Sequence, residues 1–292
     1  DDVETSRLLR SAKAKLLNAR KSRPPPQHDD KVLADWNGLF ITALAEAALV
    51  FDNHHWRDAA VRAFDANMNI FWQDGRLLHS HRLNSTRHEA IADDYANLIE
   101  AALTLYGLTA EPRYIATAQE LAMALERNHW DEENGGFFHA SLARAQLPIA
   151  SRTIDDDVTP SANALMIKNY GVLYHLTGEP IYQAKADQII AALLGRALDN
   201  PFAAPSLLKN ILLRRDAIQI VQVSGHENAR TPLLALALKQ TGLNAVISYL
   251  DAKAALPANH PAFGKSTQDG KTTLYICRGM TCAKPATNPE EL

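Results

Sequence analysis

The chain contains an internal repeat that predicts a stack of helical hairpins. Residues 105–125 and 173–193 share the pattern Leu-Tyr-x-Leu-Thr-x-Glu-Pro-x-Tyr, and both close on Ala-Leu. Residues 44–64 form a weaker copy, in which Trp56 takes the place of Tyr114. In each copy, apolar residues recur at helical spacing on both sides of a short turn. A repeated helix–turn–helix unit of this kind buries its apolar faces by stacking on its neighbours.

The segments between the hairpins predict a toroid more than a thin solenoid. Residues 72–82 and 130–142 lengthen the repeat beyond the usual helical arrays, and they carry glycine turns and strand signals. In a toroid, the first helix of each pair lines the inside and the second lies outside. The predicted fold class is therefore mainly α, a partial toroid of helical hairpins with short β-hairpin loops.

The composition changes after the third hairpin. Residues 201–215 predict one more helix, and residues 217–225 and 245–250 predict two strands around a helix over 228–240. This strand–helix–strand order indicates a small C-terminal α/β element packed on the helices. The predicted domains are a toroid portion over 1–215 and the α/β element with its tail over 216–292.

Composition limits the classes of partner. The 292 residues are 47% hydrophobic and carry a net charge of −3, so bulk charge favours neither nucleic acid nor an anionic membrane. No run of about 18 apolar residues predicts a membrane span. The two cysteines, Cys277 and Cys282, could bridge or stay reduced, whereas a zinc site would need about four ligands. We expect a reducing, cytoplasmic location, with no metal and no cofactor.

Carboxylates mark the starts of the predicted inner helices. Asp93 and Asp94 open the second inner helix, and residues 155–157 precede the third. Such carboxylates cap free N–H groups. They could also act as a general acid/base pair, because neighbouring like charges raise one pKa. Both readings stay open, and the convergence of these starts at one end of a toroid predicts a site there.

Other residues near these starts suit the binding of a sugar. A tryptophan beside hydrogen-bonding side chains can hold a sugar ring. Tryptophan is also common in protein cores, and Asp and Asn are also common as helix caps. A histidine pair at His79 and His81 would face one side of a strand, without further metal ligands at defined spacing. The candidate acid/base residues are Asp94 and Asp156, with Asp93 secondary. The candidate substrate-binding residues are Trp36, Asn37, Tyr95, Arg152, Asn163 and His79.

Four motifs in this order resemble the YyaL and spermatogenesis-associated protein 20 family. They are Asp-Asp-Lys-x-Leu-x-x-Trp-Asn-x-Leu (29–39), Asp-Asp-Tyr-Ala (93–96), Arg-x-x-x-Asp-x-x-x-Pro-Ser-x-Asn (152–163), and the cysteine-containing tail with its final Pro-Glu-Glu-Leu (275–292). The chain departs from the family at Ala162, where glycine is usual.

The resemblance implies a fold and a larger protein. Family members carry a thioredoxin-like domain followed by an (α/α)6 toroid of the six-hairpin glycosidase type, and this chain resembles the C-terminal part. The upstream hairpins and the thioredoxin-like domain are therefore expected partners. The toroid is similar to those of glycoside hydrolases and N-acylglucosamine 2-epimerases, although a shared fold does not fix function.

The predicted function is a carbohydrate-active or carbohydrate-binding toroid that takes a sugar or sugar-derived small molecule. Its chemistry would be glycoside hydrolase-like or sugar epimerase-like. The alternative is a non-catalytic helical interaction module, whose inner-helix carboxylates would all serve as caps or in ion pairs.

Overall fold

A computed structural model describes residues 2–142, 151–224, 231–242, 244–279 and 281–292. The chain divides into two compact units, Asp1–Lys31 and Val32–Leu292. The predicted domain boundary at residue 215 falls inside the second unit and stays a prediction.

The first unit is one helix followed by an extended segment. Helix α1 (Val3–Lys21) begins at Asp2, whose carboxylate accepts a hydrogen bond from the Glu4 backbone N–H. Basic residues occupy its last turn, where they favour the helix dipole. None of its residues is buried. The three prolines after it, residues 24–26, lie outside regular secondary structure, as expected because proline cannot continue a helix.

The second unit is built mainly from helical hairpins, as predicted. The first helices of the pairs, α2, α4 and α6, pack side by side in a row, and α8 continues the row beside α6. Each second helix, α3, α5 or α7, packs on its own first helix. The bounds are α2 (Ala34–Phe51), α3 (His54–Phe71), α4 (Ala92–Thr109), α5 (Arg113–His129), α6 (Ala162–Thr177), α7 (Pro180–Asp199) and α8 (Pro205–Arg215).

The repeated tyrosines are core positions. Tyr114 is fully buried and packs edge-on against Phe64, and Tyr182 stacks on Tyr170. Trp56, the equivalent residue in the weaker copy, is partly exposed and contacts Phe51 instead. Offset and edge-to-face aromatic contacts stabilise such pairs beyond simple burial. The repeat in the sequence therefore reports how each outer helix is seated on the hairpin stack.

Helix α4 is the centre of the fold. All of its residues except Thr104 and Thr109 are buried, because α2, α5 and α6 pack around it. Helix α2 approaches it most closely at Gly38, where a Cβ atom would lie 2.8 Å from the backbone carbonyl carbon of Asn97. Only glycine allows the two backbones to come this near.

Helix α2 starts at Ala34, inside the motif at 29–39, so the motif residues from 34 onward form its first turns. Of the described helices, α2 alone has the length and apolar content that a membrane span requires. It also packs between α3 and α4. The core helix of a folded domain can have the same length and apolar content as a membrane span.

The first inter-hairpin segment forms a small antiparallel sheet, as predicted. Strand β3 (Arg76–Arg82) pairs with β1 (Val32–Leu33), β2 (Trp72–Gln73) and β4 (Ser85–Glu89). This sheet carries the histidines of that segment to the start of α4.

The strand predicted after the second glycine turn does not form in the described residues 137–142. Only an isolated bridge joins Trp130 and Phe137. The reason is that the Asn163 side chain takes both backbone polar groups of Phe137, accepting from its N–H at 2.7 Å and donating to its carbonyl at 3.0 Å. The next backbone groups make isolated bonds to three different segments, at His129, Ser151 and Ala92, so no continuous ladder forms.

The C-terminal element is a four-stranded sheet in the order β6-β5-β7-β8. Strands β5 (Ile218–Ser224) and β6 (Ala245–Asp251) are parallel and joined through α9 (Pro232–Thr241), as the strand–helix–strand order predicted. Strands β7 (Thr273–Arg278) and β8 (Thr281–Cys282) were not predicted.

Two links hold this element and its tail in place. The Tyr249 hydroxyl donates to the Gly107 carbonyl at 2.8 Å, and the Tyr249 backbone N–H donates to the Tyr106 hydroxyl, so the sheet is fastened to the far end of α4. Cys277 and Cys282, which are paired across β7 and β8, form a disulfide. Of the states left open for these cysteines, the structure shows the bridged one.

Candidate functional site

Asp94 is the most strongly held carboxylate of the inner-helix starts. Its side chain is completely buried. It accepts hydrogen bonds from the backbone N–H of Ile91 at 2.8 Å and from that of Asp35, in the first turn of α2, at 3.0 Å. The Nδ1 atom of His79, on strand β3, lies 2.9 Å from its Oδ2. Asp94 thus caps its own helix, ties α4 to α2 and positions an imidazole.

Asp93 makes the corresponding contacts on the other side. Its Oδ1 accepts a hydrogen bond from the Ala162 backbone N–H, at the start of α6, at 2.7 Å. Its Oδ2 lies 2.9 Å from Nδ1 of His139. The two groups form an ion pair when His139 is protonated. Consecutive carboxylates therefore contact two different imidazoles.

Asp156 continues this pattern toward α8. One of its oxygens accepts from the Ser161 backbone N–H at 3.3 Å, and the other accepts from that of Ser206, in the first turn of α8, at 2.6 Å. The starts of α2, α4, α6 and α8 are thus linked in sequence by carboxylates. Each link satisfies backbone N–H groups that a helix start leaves without an intrahelical partner.

Burial and charge shift the proton affinities at this site. Burial raises the pKa of Asp94 to about 6, although the hydrogen bond from His79 opposes the rise. Burial also raises the pKa of Asp35. The contact with Asp93 raises the pKa of His139, which also senses the charges of Asp94 and His79. Burial and neighbouring charges thus shift the pKa of three side chains in this one cluster.

Among the described side chains at this site, the two imidazoles and the indole of Trp36 reach solvent. The His79 side chain is 26% exposed and that of His139 is 39% exposed, whereas the Asp94 side chain is 0% exposed. Trp36, next to Asp35 on α2, is 57% exposed. A molecule approaching this end of the helices would meet imidazole and indole rings before it met Asp94.

Sequence reasoning missed His139, and a repeat in the sequence could have found it. Trp72 ends α3, Gly75 turns the chain with a positive φ, and His79 follows. In the next hairpin Trp130 ends α5, a glycine turn with positive φ follows, and the chain reaches His139. The two inter-hairpin segments thus deliver one histidine each to the start of α4.

The other predicted ligand-binding residues hold the structure of the neighbouring loops. Tyr95 is buried and its hydroxyl accepts from the Leu77 backbone N–H, so it offers no open ring face to a sugar in this structure. Asn37 donates to the Leu33 carbonyl within its own helix start. Asn163 is buried, and besides Phe137 its amide donates to the Thr153 carbonyl.

Arg152 also binds its own loop. We expected it to hold Asp156 ionised, but its guanidinium donates to the Gly135 carbonyl at 2.8 Å and lies 3.3 Å from the Asp131 carboxylate. The acidic residue that it meets is therefore in the glycine turn of the second inter-hairpin segment.

Asp35, His79 and Asp94 form a compact group of potential metal ligands. One donor atom from each lies within 4.8 Å of the others. The contacts above account for this proximity, because both Asp94 oxygens accept backbone N–H bonds and face Nδ1 of His79. A metal would have to displace these bonds, so the donor set fits a hydrogen-bonded acid/base cluster better than a metal site.

The chain is similar over its whole length to curated proteins of animals. It is 26% identical over 309 residues to human spermatogenesis-associated protein 20, covering 100% of this chain and 39% of that protein. It is 26% identical over 302 residues to an uncharacterised protein of Caenorhabditis elegans, covering 99% of this chain and 41% of that protein. The chain thus spans well under half the length of these relatives. No family model matches it.

A solved structure shares the hairpin fold. The GH76 α-mannanase of Bacteroides thetaiotaomicron aligns with a TM-score of 0.52 and 14% identity, over 64% of this chain and 53% of that chain. At this identity the likeness concerns the fold alone, and it confirms the predicted toroid of helical hairpins. Together with the matches along the whole chain, the resemblance to the spermatogenesis-associated protein 20 family is confirmed.

Proposed function

We propose that this chain is the carbohydrate-active region of a longer protein, in which His79 and His139 exchange protons with a bound sugar. The observation that carries the proposal is that adjacent carboxylates, Asp93 and Asp94, each contact one imidazole through Nδ1. A carboxylate at Nδ1 orients the ring and stabilises its protonated form. Histidines held in this way suit general acid/base work near neutral pH.

Trp36 supports the choice of a sugar as the ligand. Its exposed indole lies one residue from Asp35, whose backbone N–H donates to Asp94. An apolar ring face beside polar groups complements a sugar, which carries both C–H and hydroxyl surfaces. The shared fold with an α-mannanase adds support for the ligand class only, since one fold hosts many activities.

The contacts favour proton transfer at carbon over hydrolysis by two carboxylates. Asp94 is buried and Asp156 is bound to two helix starts, so we assign the acid/base role to the imidazoles. One imidazole would take the proton from the carbon next to the carbonyl of an open-chain sugar. The other, as imidazolium, would protonate the carbonyl oxygen to give an enediol. The second imidazole then takes the proton back from the enediol oxygen and, as imidazolium, delivers it to the opposite face of that carbon. The carbonyl re-forms, the product is the epimer, and the abstracted proton stays on the first imidazole.

The test is proton exchange at carbon. Reducing mono- and disaccharides are incubated with the chain in D2O, and loss of the C2 proton signal is followed by ¹H NMR. We expect exchange to fall by at least about 100-fold in His79→Asn and in His139→Asn, because each removes one acid/base group. His81→Asn is the matched control, since His81 also lies on β3 but contacts Thr86. The proposal is refuted if the folded wild type shows no proton exchange and no calorimetric sugar binding.

A second candidate is a non-catalytic helical interaction module. It is favoured by the use of Asp94 and Asp156 as links between helix starts. Under this reading the histidine variants would change only stability, and no sugar would bind. The upstream hairpins and the thioredoxin-like domain implied by the family resemblance are the partners that we propose for either function.

A further inference from the structure

A cavity lies where the helices meet the C-terminal element. It has a volume of about 280 Å³ and is walled by α6, the last turn of α8 and the first residues of β6. Its charged wall residues are Lys168, Arg214 and Arg215, and among the described residues no carboxylate lines it. It is formed by none of the residues of the Asp93/Asp94 site.

Two of these cations retain donors that could bind a ligand. Arg214 contacts Asp187 at 2.8 Å and the Gln183 carbonyl at 3.4 Å, and both contacts use Nη2. Lys168 is 2.6 Å from Glu100, which engages one of its three ammonium protons, and the charge of Glu46 also acts on it. A guanidinium offers five N–H donors in a fork that matches carboxylate and phosphate oxygens. Both cations thus have N–H groups beyond those that these contacts use, and both line the cavity.

His175 provides an independent sign that the cavity is electropositive. Its Nδ1 is buried and has no hydrogen-bond partner in the part of the chain that the structure describes. Burial, together with the nearby cationic or ionisable groups of His260, Arg214 and Lys265, lowers the pKa of His175 to about 4. In the tautomer that carries its proton on Nδ1, this nitrogen could donate a hydrogen bond to an anion in the cavity.

We infer that this cavity binds a small organic anion bearing a carboxylate or phosphate group. The anionic oxygens would lie between Lys168 and Arg214, and the body of the molecule would contact Val172, Leu213 and Val246. The volume suits a compound of a few carbon atoms. Because α6, α8 and β6 all contribute to the wall, the bound anion would join the helices to the C-terminal element.

Calorimetry at low ionic strength tests this site with inorganic phosphate and with butanoate, an anion with an apolar tail. We expect Arg214→Gln to raise the Kd for the bound anion about tenfold or more, because it removes a charged fork. Arg113→Gln is the matched control, since Arg113 is also ion-paired, with Asp65, on another helix. If Arg214→Gln fails to fold, Arg214→Lys keeps the charge and should raise the Kd several-fold.

The imidazole of His175 reports occupancy directly. In an NMR titration, an anion concentration near the wild-type Kd should raise the pKa of His175 in the wild type, and the same concentration should raise it clearly less in Arg214→Gln. Binding of butanoate alone or of phosphate alone supports the site and identifies its head group. No binding of either anion to the folded chain overturns the inference. An equal loss of anion affinity in Arg214→Gln and Arg113→Gln also overturns the inference, because it would show that the anion is attracted by the overall charge of the protein.

Discussion

The two ends of helix α4 have different polar chemistry. At its start, Asp93 and Asp94 accept hydrogen bonds from backbone N–H groups of α6 and α2. In its middle, Glu100 pairs with the Lys168 side chain, and nearer its other end Tyr106 accepts from a strand of the C-terminal element. At the start of α4, carboxylates accept hydrogen bonds from the backbones of neighbouring helices. Further along α4, the polar contacts are a side-chain ion pair and a hydrogen bond from the C-terminal sheet.

The difference follows from the polarity of a helix. Helix starts present unpaired N–H groups and a partial positive charge, so carboxylates are stable there even when buried. Later turns have satisfied backbones, and a buried carboxylate there needs a cation from another element. Loss of an acceptor at the start leaves backbone groups unsatisfied, whereas a side-chain pair can be replaced by apolar groups with little loss.

The largest expected effect is at the start of α4. Asp94→Ala removes the acceptor for two buried backbone N–H groups and for His79, and we expect a loss of about 3–5 kcal/mol in the free energy of unfolding. Urea denaturation at pH 7 measures it. Asp94→Asn keeps an oxygen acceptor in the same place and should lose clearly less. Wild-type stability in Asp94→Ala would show that the carboxylate does not link the helices.

The same residue predicts a pH dependence with a defined sign. Its folded pKa of about 6 is above its ordinary value of 3.8, so the folded state keeps a proton that the unfolded state loses. This group therefore favours folding below about pH 4, and its contribution falls by about 3 kcal/mol as pH rises to about 6. The difference between wild type and Asp94→Asn, measured by denaturation from pH 4 to 7, should show this slope. A flat difference would contradict the raised pKa.

A smaller effect is expected at the ion pair in the middle of α4. Lys168→Met leaves the partly buried carboxylates of Glu46 and Glu100 without their cation, and we expect a loss of about 2 kcal/mol at pH 8. Burial already raises the pKa of Glu46, so the loss should shrink at pH 5, where protonation relieves the repulsion. The double change Lys168→Met/Glu100→Gln should recover part of the stability. No recovery would mean that Lys168 acts by packing alone.

The smallest expected effect is at Asp156. Asp156→Ala removes an N-terminal acceptor from α8 and a long hydrogen bond at the start of α6, in a half-buried position. A loss of about 1 kcal/mol is expected, as for other helix caps. Thermal unfolding should detect this loss. Asp157→Ala is the control, because Asp157 is the exposed neighbour of Asp156, and it should change the melting temperature little. Equal effects would show that Asp156 has no special linking role.

Several features were predictable because they depend on local patterns. The hairpins follow from apolar spacing, and the repeated tyrosines mark their buried contacts at Tyr114 and Tyr182. The parallel strands around α9 follow from a short-range order of apolar runs. The expectation that acidic residues gather at the inner-helix starts also follows from capping, which is a local property.

The pairings across the chain were not predictable in the same way. Capping chemistry could not say that Asp94 would accept from α2 and Asp93 from α6, since both partners are distant in sequence. The strand predicted after Phe137 failed because a side chain from another hairpin, Asn163, took its backbone bonds. Likewise, Arg152 contacts Asp131. Asp156, four residues after Arg152, binds the starts of α6 and α8 instead.

The sequence by itself determined that the chain forms helical hairpins in a row, with a small α/β element after them, because periodicity and turns act over a few residues. Only the tertiary structure decided which groups meet. It buried Asp94 while leaving His79 and His139 partly exposed, and it placed Lys168 and Arg214 in one cavity. Burial and charge proximity depend on elements that are far apart in sequence, and these two quantities set the proton affinities on which the proposed functions depend.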